Sequence, residues 1–227
     1  MIGRSNQTDA RAGYELDYTH LTASNLTAPD FVVPADQVGH GLRLAVEAQR
    51  GGWDATAWWN PARRSGWHAW GRPGEYDAHE RDFQRYGLSV GRTFVLSPAV
   101  VARAEGVAMA GSGLDRFSRY TFGTFENRLH GYPSALIRYD RGGVARGTVA
   151  WSAASRLRID GFLDGAVVRD HGFADGLTRL AGFGAAVESS VPFGMLLALE
   201  WGYGPQGVNA DGRRGTHVVR ITGYKVF

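Results

Sequence analysis

The chain has 227 residues, a formal net charge of +3 and no cysteine. Without cysteine it has no disulfide, thiolate metal ligand or cysteine nucleophile. Its arginines alternate with Asp and Glu and do not form the basic stripe typical of nucleic-acid-binding proteins. The 32 glycines and the 12% aromatic content favour many short strands joined by turns, and the length fits one β domain spanning residues 1–227.

No run of about 18 apolar residues occurs, which excludes a membrane-spanning helix. It does not exclude a membrane β-barrel, whose strands need only about ten alternating residues each. Residues 1–6 lack the apolar core of a secretion signal, which fits a soluble protein as well as a processed or partial chain.

Alternation of apolar and polar residues with a period of two is the main pattern along the chain. Ile159 and Leu163, for example, share one face of a predicted strand, and Arg158 and Asp160 share the other. The alternation predicts ten strands, at residues 12–21, 37–49, 53–60, 84–95, 97–110, 143–155, 156–169, 178–190, 193–204 and 216–227. No segment has a helical stripe, and connections such as residues 204–212 are typical of loops. The chain is therefore predicted to be an all-β antiparallel meander.

The polarity of the two strand faces separates a soluble sheet from a membrane barrel, because a barrel in lipid directs its apolar face outward and its polar face into a hydrated lumen. The polar faces carry charges of both signs: Arg103, Glu105, Arg158, Asp160, Glu188 and Glu200. Aromatic residues lie near predicted strand ends, as interfacial girdles do: Trp53, Trp59, Trp151, Trp201 and Tyr203. Both patterns favour a membrane barrel, and a soluble β-sandwich stays open as the alternative.

A series of short motifs in the second half of the chain gives a more specific indication. The tetrapeptide Leu129-His130-Gly131-Tyr132 is followed by Phe162-Leu163-Asp164-Gly165, Gly182-Phe183-Gly184, Pro192-Phe193-Gly194, the aromatic-rich stretch 199–203 and a C-terminal Phe227. In order and spacing, residues 115–227 resemble the C-terminal barrel of the BamA/TamA-type outer-membrane assembly and translocation superfamily. That superfamily includes two-partner secretion transporters and surface-antigen barrels.

The resemblance implies a transmembrane β-barrel with about 10–12 strands in this chain, as a whole barrel or as part of a sixteen-stranded one. It implies that a long loop, residues 111–142, folds into the lumen and carries the motif at its tip. The implied site residues are the loop motif, Arg128, Leu129, His130, Gly131 and Tyr132; the barrel-wall partner, Phe162 and Asp164; and the terminal-strand signal, Gly223, Tyr224 and Phe227.

The resemblance further implies a location in the bacterial outer membrane, contact with its lipid, and unfolded outer-membrane or secreted polypeptides as partners. The expected role is assistance in polypeptide insertion or transport. No catalytic activity, cofactor, metal or nucleic-acid partner is expected.

Two departures from the family pattern bear on this role. His130 stands where the family has an arginine, which forms a fixed bidentate ion pair with the carboxylate of the Phe-x-Asp motif. We expect His130 to hydrogen-bond Asp164 through a weaker, pH-dependent contact, with Arg128 supplying the missing charge. Gly223 and Tyr224 are shifted by about one position from the usual terminal signal. A passive pore or structural barrel is therefore a second hypothesis, and a soluble β protein binding a carbohydrate or an apolar ligand through a Trp-rich surface is a third.

Three residue sets are candidates for a metal site, an acid–base site and a ligand-stacking surface. His68 and His79 lie near Asp77 and Glu80, a set that is more typical of a solvated loop than of a metal site. An acid–base set of Glu126, His130 and Asp164 is less favoured than a structural contact between loop and wall. A cluster of tryptophans could stack on sugars, but an interfacial girdle running into an external loop explains it more simply; its members are Trp53, Trp58, Trp59, Trp67 and Trp70.

Overall fold

The computed structural model describes residues 6–25, 27–72, 81–115, 117–122, 128–133, 137–170, 176–191, 195–208 and 212–225. These residues form a single antiparallel sheet of eleven strands. The strands are β1 (Gln7–Thr19), β2 (Gln37–Arg50), β3 (Trp53–Ser65), β4 (Asp82–Ser97), β5 (Val100–Ser112), β6 (Tyr120–Thr121), β7 (Arg138–Ala154), β8 (Leu157–Asp170), β9 (Gly176–Val191), β10 (Met195–Val208) and β11 (Arg214–Lys225). Within the described ranges no helix is long and apolar enough to cross a membrane.

The sheet is a meander in which each long strand pairs with its neighbours in sequence, from β1 at one edge to β11 at the other. The two-residue β6 lies off this path and pairs with β7. The all-β antiparallel meander predicted from the alternation is confirmed, and each of the ten predicted strands overlaps one long strand. In the described part of the chain β1 and β11 do not pair with each other, so the sheet is open there.

The predicted loop at residues 111–142 is shorter in the structure. Strand β5 continues to Ser112, and β7 begins at Arg138. The start of β7 was missed because a register shift between Tyr139 and Gly142 interrupts the alternation. Tyr139 is fully buried, and its ring packs against that of Phe122 at 5.1 Å. This packing holds the first residues of β7 on the sheet.

The two faces of the sheet differ in polarity throughout. We call the face that carries Glu47, Asp164 and Glu200 the inner face and the opposite one the outer face. Because side chains alternate along a strand, the strand register places large apolar residues side by side on the outer face, and they are exposed: Leu42, Val46, Trp59, Leu88, Val90, Phe94, Val149, Trp151, Leu163, Val167, Phe183, Val187, Leu199, Trp201, Val219 and Ile221. The apolar surface of the strands is thus directed away from the packed core.

The hydrophobic core lies between the inner face and the connection from β5 to β7. Its buried members are Val107, Met109, Phe122, Leu129, Tyr132, Ile137, Tyr139, Val144, Ala166, Val168 and Leu180. A β-sandwich would instead have its core between two sheets, and the described residues form one. This connection therefore determines where the candidate site lies.

Candidate functional site

Residues 128–133, which we call the tip segment, lie on the inner face against strands β7–β11. Leu129 and Tyr132 are each 1% exposed and His130 is 7% exposed. The left-handed conformation of Gly131, with φ of 83°, turns the backbone between them. Glu126, Asn127 and Ser134, which belong to the segment singled out in the sequence, lie outside the described residues.

The structure brings His130 and Asp164 together at the centre of the site. The backbone N–H of His130 donates to Oδ2 of Asp164 at 2.8 Å, and Nδ1 of the ring lies 2.5 Å from the same oxygen. The ring also stacks on Phe162 with centroids 4.2 Å apart and planes 7° from parallel. Phe162 and Asp164 both point inward from β8. One carboxylate therefore fixes both the backbone and the side chain of the tip.

Glycines of strands β9 and β10 allow the backbone of the tip segment to approach these strands closely. A Cβ at Gly182 of β9 would overlap the carbonyl oxygen of His130, and a Cβ at Gly202 of β10 would lie 2.6 Å from the nitrogen of Gly131. A Cβ at Gly204 would lie 2.6 Å from the ring of Tyr132. The tip segment can lie this close to β9 and β10 only because these three positions have no side chain.

Strand β11 and the end of β10 fix the distal half of the tip segment. Thr216 Oγ1 donates to the carbonyl oxygen of Gly131 at 2.5 Å. Oη of Tyr132 lies 2.9 Å from the carbonyl oxygen of Ala181 and 2.7 Å from Oε1 of Gln206. Burial raises the pKa of the Tyr132 hydroxyl, so it stays protonated and remains a donor. Together with the contact to Asp164 of β8, these contacts tie four strands, β8 to β11, to one short segment.

Arg128 provides the positive charge of the tip segment, and its ion pair is with a carboxylate of β10. Its guanidinium contacts the carboxylate of Glu200 on β10, and Arg220 Nη1 lies 3.6 Å from the same carboxylate. Burial, followed by the charges of Arg220 and Arg146, lowers the pKa of Arg128 to about 10, so it is cationic at neutral pH. Arg128 therefore brings a positive charge close to Asp164, whose charge acts on it, while its ion pair is with Glu200.

The ion pairs around the tip balance in charge. Arg146 Nε donates to the carbonyl oxygen of Arg128 at 2.9 Å, and its Nη1 lies 3.5 Å from Glu105 Oε2. Three arginines (Arg128, Arg146 and Arg220) thus lie among three carboxylates (Glu105, Asp164 and Glu200). Such a network can hold the tip segment on the inner face of the sheet, because each buried charge has an opposite charge close by.

Of the terminal-strand signal, Gly223 is on the outer side of β11 beside Leu197, away from the tip. Tyr224 is half-exposed and shares the inner face with Arg220, where it contributes to the electrostatic surroundings of Arg128. Phe227 lies outside the described residues. No group of three or more His, Asp or Glu side chains among residues that the structure describes could hold a metal ion. His68 is exposed, while Asp77, His79 and Glu80 lie outside the described ranges.

The Trp-rich stretch does not form one surface. Trp67 and Trp70 are 3% and 2% exposed, and their rings meet edge to face at 6.2 Å. Trp53 and Trp59 are exposed on the outer face, whereas Trp58 packs against the core. These five tryptophans therefore do not present one common surface on which a ligand could stack.

Most of the strand residues that contact the tip segment could not be recognised from the sequence. Glu200 was recognised only as a charge on a polar face, and its cross-strand pairing with Arg220 follows from a register that the sequence does not state. Gly202, Gly204 and Thr216 gave no separate signal. Glu200 and Arg220 occupy inward-facing positions of adjacent predicted strands, and this alternation was the indication in the sequence that the two could meet.

No family model, curated protein or solved structure matches the chain.

Proposed function

We propose that the protein is a transmembrane β-barrel of the bacterial outer membrane, that the tip segment plugs its lumen, and that it assists insertion or transport of polypeptides. The observation that carries the membrane part is the polarity of the sheet. Its outer face exposes large apolar side chains, with Leu163 at 67%, Leu177 at 77% and Ile221 at 79%. In water such a continuous apolar surface is unfavourable, and in hydrocarbon it is the expected surface of a barrel.

The strand lengths also support a location in the membrane. The long strands have 12 to 17 residues, and a tilted strand needs about 9–11 to cross a bilayer. Outer-face Trp53 and Trp151 lie beside the tight turns, and outer-face Tyr18 lies at the opposite end of β1; these positions suit interfacial anchors. Trp59, which was expected near a strand end, lies at the middle of β3.

A barrel in lipid also requires partners for the two edge strands, because unpaired backbone N–H and C=O groups are costly in hydrocarbon. The edges are compatible with closure: β1 and β11 are the first and last of ten alternating antiparallel strands, so they run in opposite directions. We propose that β1 and β11 complete the barrel by pairing with each other or, as the resemblance implies for a sixteen-stranded barrel, with further strands.

The polypeptide role rests on the family resemblance, and the tip geometry supports it. In the family pattern a loop motif reaches the carboxylate of a Phe-x-Asp strand. Here His130 reaches Asp164 and stacks on Phe162. No catalytic role is proposed for this pair, because ring and carboxylate are 8% and 1% exposed and are occupied with each other.

The membrane assignment is tested by cysteine labelling, which the cysteine-free chain makes clean. Single variants Leu163→Cys and Leu199→Cys report on the outer face, and Thr56→Cys and Ser89→Cys report on the inner face. In liposomes we expect a lipid-soluble quencher to reach probes at the outer pair and a water-soluble maleimide to label the inner pair. Rapid aqueous labelling of Leu163→Cys in liposomes, or recovery of the protein from the aqueous phase without detergent, would contradict the assignment.

The polypeptide role is tested separately with proteoliposomes. An unfolded barrel protein is added to vesicles containing the wild type, the Asp164→Ala variant or an unrelated barrel of similar size, and its insertion rate is followed. We expect the wild type alone to accelerate insertion. Equal rates with the unrelated barrel would refute the role while leaving the barrel assignment intact.

A passive pore is the second candidate, and the charged inner face of β1–β4 favours it. The contacts of the tip segment lie on β7–β11, whereas Arg11, Glu15, Arg43 and Glu47 line the opposite part of the inner face. Conductance of a planar bilayer distinguishes the two roles. A steady open current combined with no effect on polypeptide insertion identifies a pore.

A further inference from the structure

A cavity of about 820 Å³ lies on the inner face of β1–β5, away from the tip segment. Its charged lining residues are Arg11, Glu15, Arg43, Glu47, Arg85 and Glu105, and its apolar wall includes Trp58, Val107, Met109 and Tyr120. This size is within the range of small-molecule sites. A lining that combines an apolar wall with a few charged groups is also typical of such sites.

One arginine that lines the cavity has no ion pair with a described residue. Arg11 Nη2 lies 3.0 Å from Glu47, and Arg43 Nη1 lies 3.8 Å from Glu15. Glu105 is the partner of Arg146. Arg85 has no ion pair with any residue that the structure describes, and it lies on the inner face among these neutralised pairs. The cavity therefore has an excess positive charge, and this charge is at Arg85.

The surroundings of Arg85 offer a second polar contact and an apolar wall. Asn60 of β3 is its direct cross-strand partner, and Oδ1 of Asn60 is buried without a hydrogen-bond donor in the described part of the protein. A Cβ at Gly87 would overlap the ring of Trp58, so this ring covers the backbone two residues from Arg85. Guanidinium, amide and indole thus converge on one place.

We propose that this cavity binds an organic carboxylate with an apolar body and an adjacent N–H group. The carboxylate pairs with Arg85 through two parallel hydrogen bonds, the N–H donates to Oδ1 of Asn60, and the apolar body packs on Trp58 and Met109. An N-acylated amino acid with a large apolar side chain has this chemistry, and so does the C-terminal residue of a polypeptide. The proposal goes beyond the polypeptide role and does not require it.

Calorimetric titration of the detergent-solubilised protein tests the site with four probes. N-acetylphenylalanine carries all three features, its C-terminal amide lacks the charge, and 3-phenylpropionate lacks the N–H. A short peptide ending in phenylalanine distinguishes a polypeptide end from a free small molecule. We expect N-acetylphenylalanine to bind and the amide to bind at least about tenfold more weakly, because the amide loses a charged hydrogen bond. Binding of the peptide as well assigns the ligand to polypeptide ends, and exclusion of the peptide assigns it to small molecules.

Matched arginine variants locate the binding. Arg85→Gln is expected to weaken N-acetylphenylalanine binding about tenfold or more, and Arg85→Lys to retain part of it. Arg11→Gln removes the same charge from the same cavity but from a paired residue, and we expect a change within about twofold. Asn60→Ala is expected to abolish the preference for N-acetylphenylalanine over 3-phenylpropionate. Absence of wild-type binding at millimolar concentrations, or equal losses in Arg85→Gln and Arg11→Gln, would overturn the proposal.

Discussion

Replacing Asp164 by alanine is the most direct test of how the tip segment is held. Asp164 Oδ2 accepts from both the backbone N–H and Nδ1 of His130, and its side chain is 1% exposed. The substitution leaves both donors buried and unpaired, at a cost of about 1–3 kcal/mol for each. The tip should therefore open more easily by at least about 2 kcal/mol.

Hydrogen exchange measures this opening at the tip itself. A loss of about 2 kcal/mol corresponds to roughly thirtyfold faster exchange of the His130 amide. His130→Ala keeps the backbone hydrogen bond and removes only the ring contacts. A double-mutant cycle with Asp164→Ala therefore isolates the side-chain hydrogen bond, with an expected coupling of about 1.5–3 kcal/mol.

Asp160→Ala is the matched control for this measurement. Asp160 lies on the same strand and the same face, and it is also buried, but its ion pair is with Arg158. We expect its substitution to leave tip exchange unchanged. If Asp164→Ala exchanged at the wild-type rate, or if Asp160→Ala accelerated exchange equally, the account of the tip contact would be wrong.

Three further substitutions, two of them with a matched control, test the tip segment and the buried ion pair of Arg64. Gly131→Ala should displace the tip segment, since a Cβ at this positive φ overlaps the backbone of Tyr203 and Gly204. Gly212→Ala, also at a positive φ but with open space around it, should cost only about 1–2 kcal/mol of backbone strain, and chemical denaturation combined with tip exchange distinguishes the two. Arg64→Ala should lower the free energy of unfolding by about 3–5 kcal/mol, because the guanidinium is buried against Asp115 at 3.0 Å. Its neighbour Arg63 forms an exposed ion pair, and Arg63→Ala should change the same quantity by less than about 1 kcal/mol. His130→Arg should accelerate tip exchange, because it adds a fourth cation to a balanced network; slower exchange in this variant would contradict the charge argument.

The sequence was sufficient for the strands because the fold has a simple local rule. A period of two with one apolar face recurs in every long strand, so the meander could be predicted without knowledge of any long-range contact. Strand ends were less predictable. The first residues of β7 stay in the sheet because of the burial of Tyr139 against Phe122, and β6 exists because of pairing with Tyr139 and Arg138. Both depend on how a distant part of the loop folds back.

The site was predictable only where a motif marked it. The pairing of His130 with Asp164 was expected only because the family resemblance implies it, and the structure places the two in contact. The partner of Arg128 was not predictable, because Glu200 reaches it through the register of β10 with β9 and β11. The role of Gly182, Gly202 and Gly204 likewise depends on a close approach between backbones. Such an approach leaves no pattern along the chain.

His130 is a short residue, and both its ring and its backbone reach the strand that carries Asp164. An arginine presents its donors at the end of a long side chain, so the backbone that carries it can stay away from the wall. His130 is shorter, and here its own backbone N–H reaches Asp164 as the second donor. That contact is possible because Gly182 and Gly202 allow the tip backbone to approach the wall. The charge that an arginine would bring is carried two residues earlier, by Arg128 on Glu200. A short donor at position 130, the glycines of β9 and β10 and the cation at Arg128 therefore act together, and an arginine at position 130 alone would disturb all three.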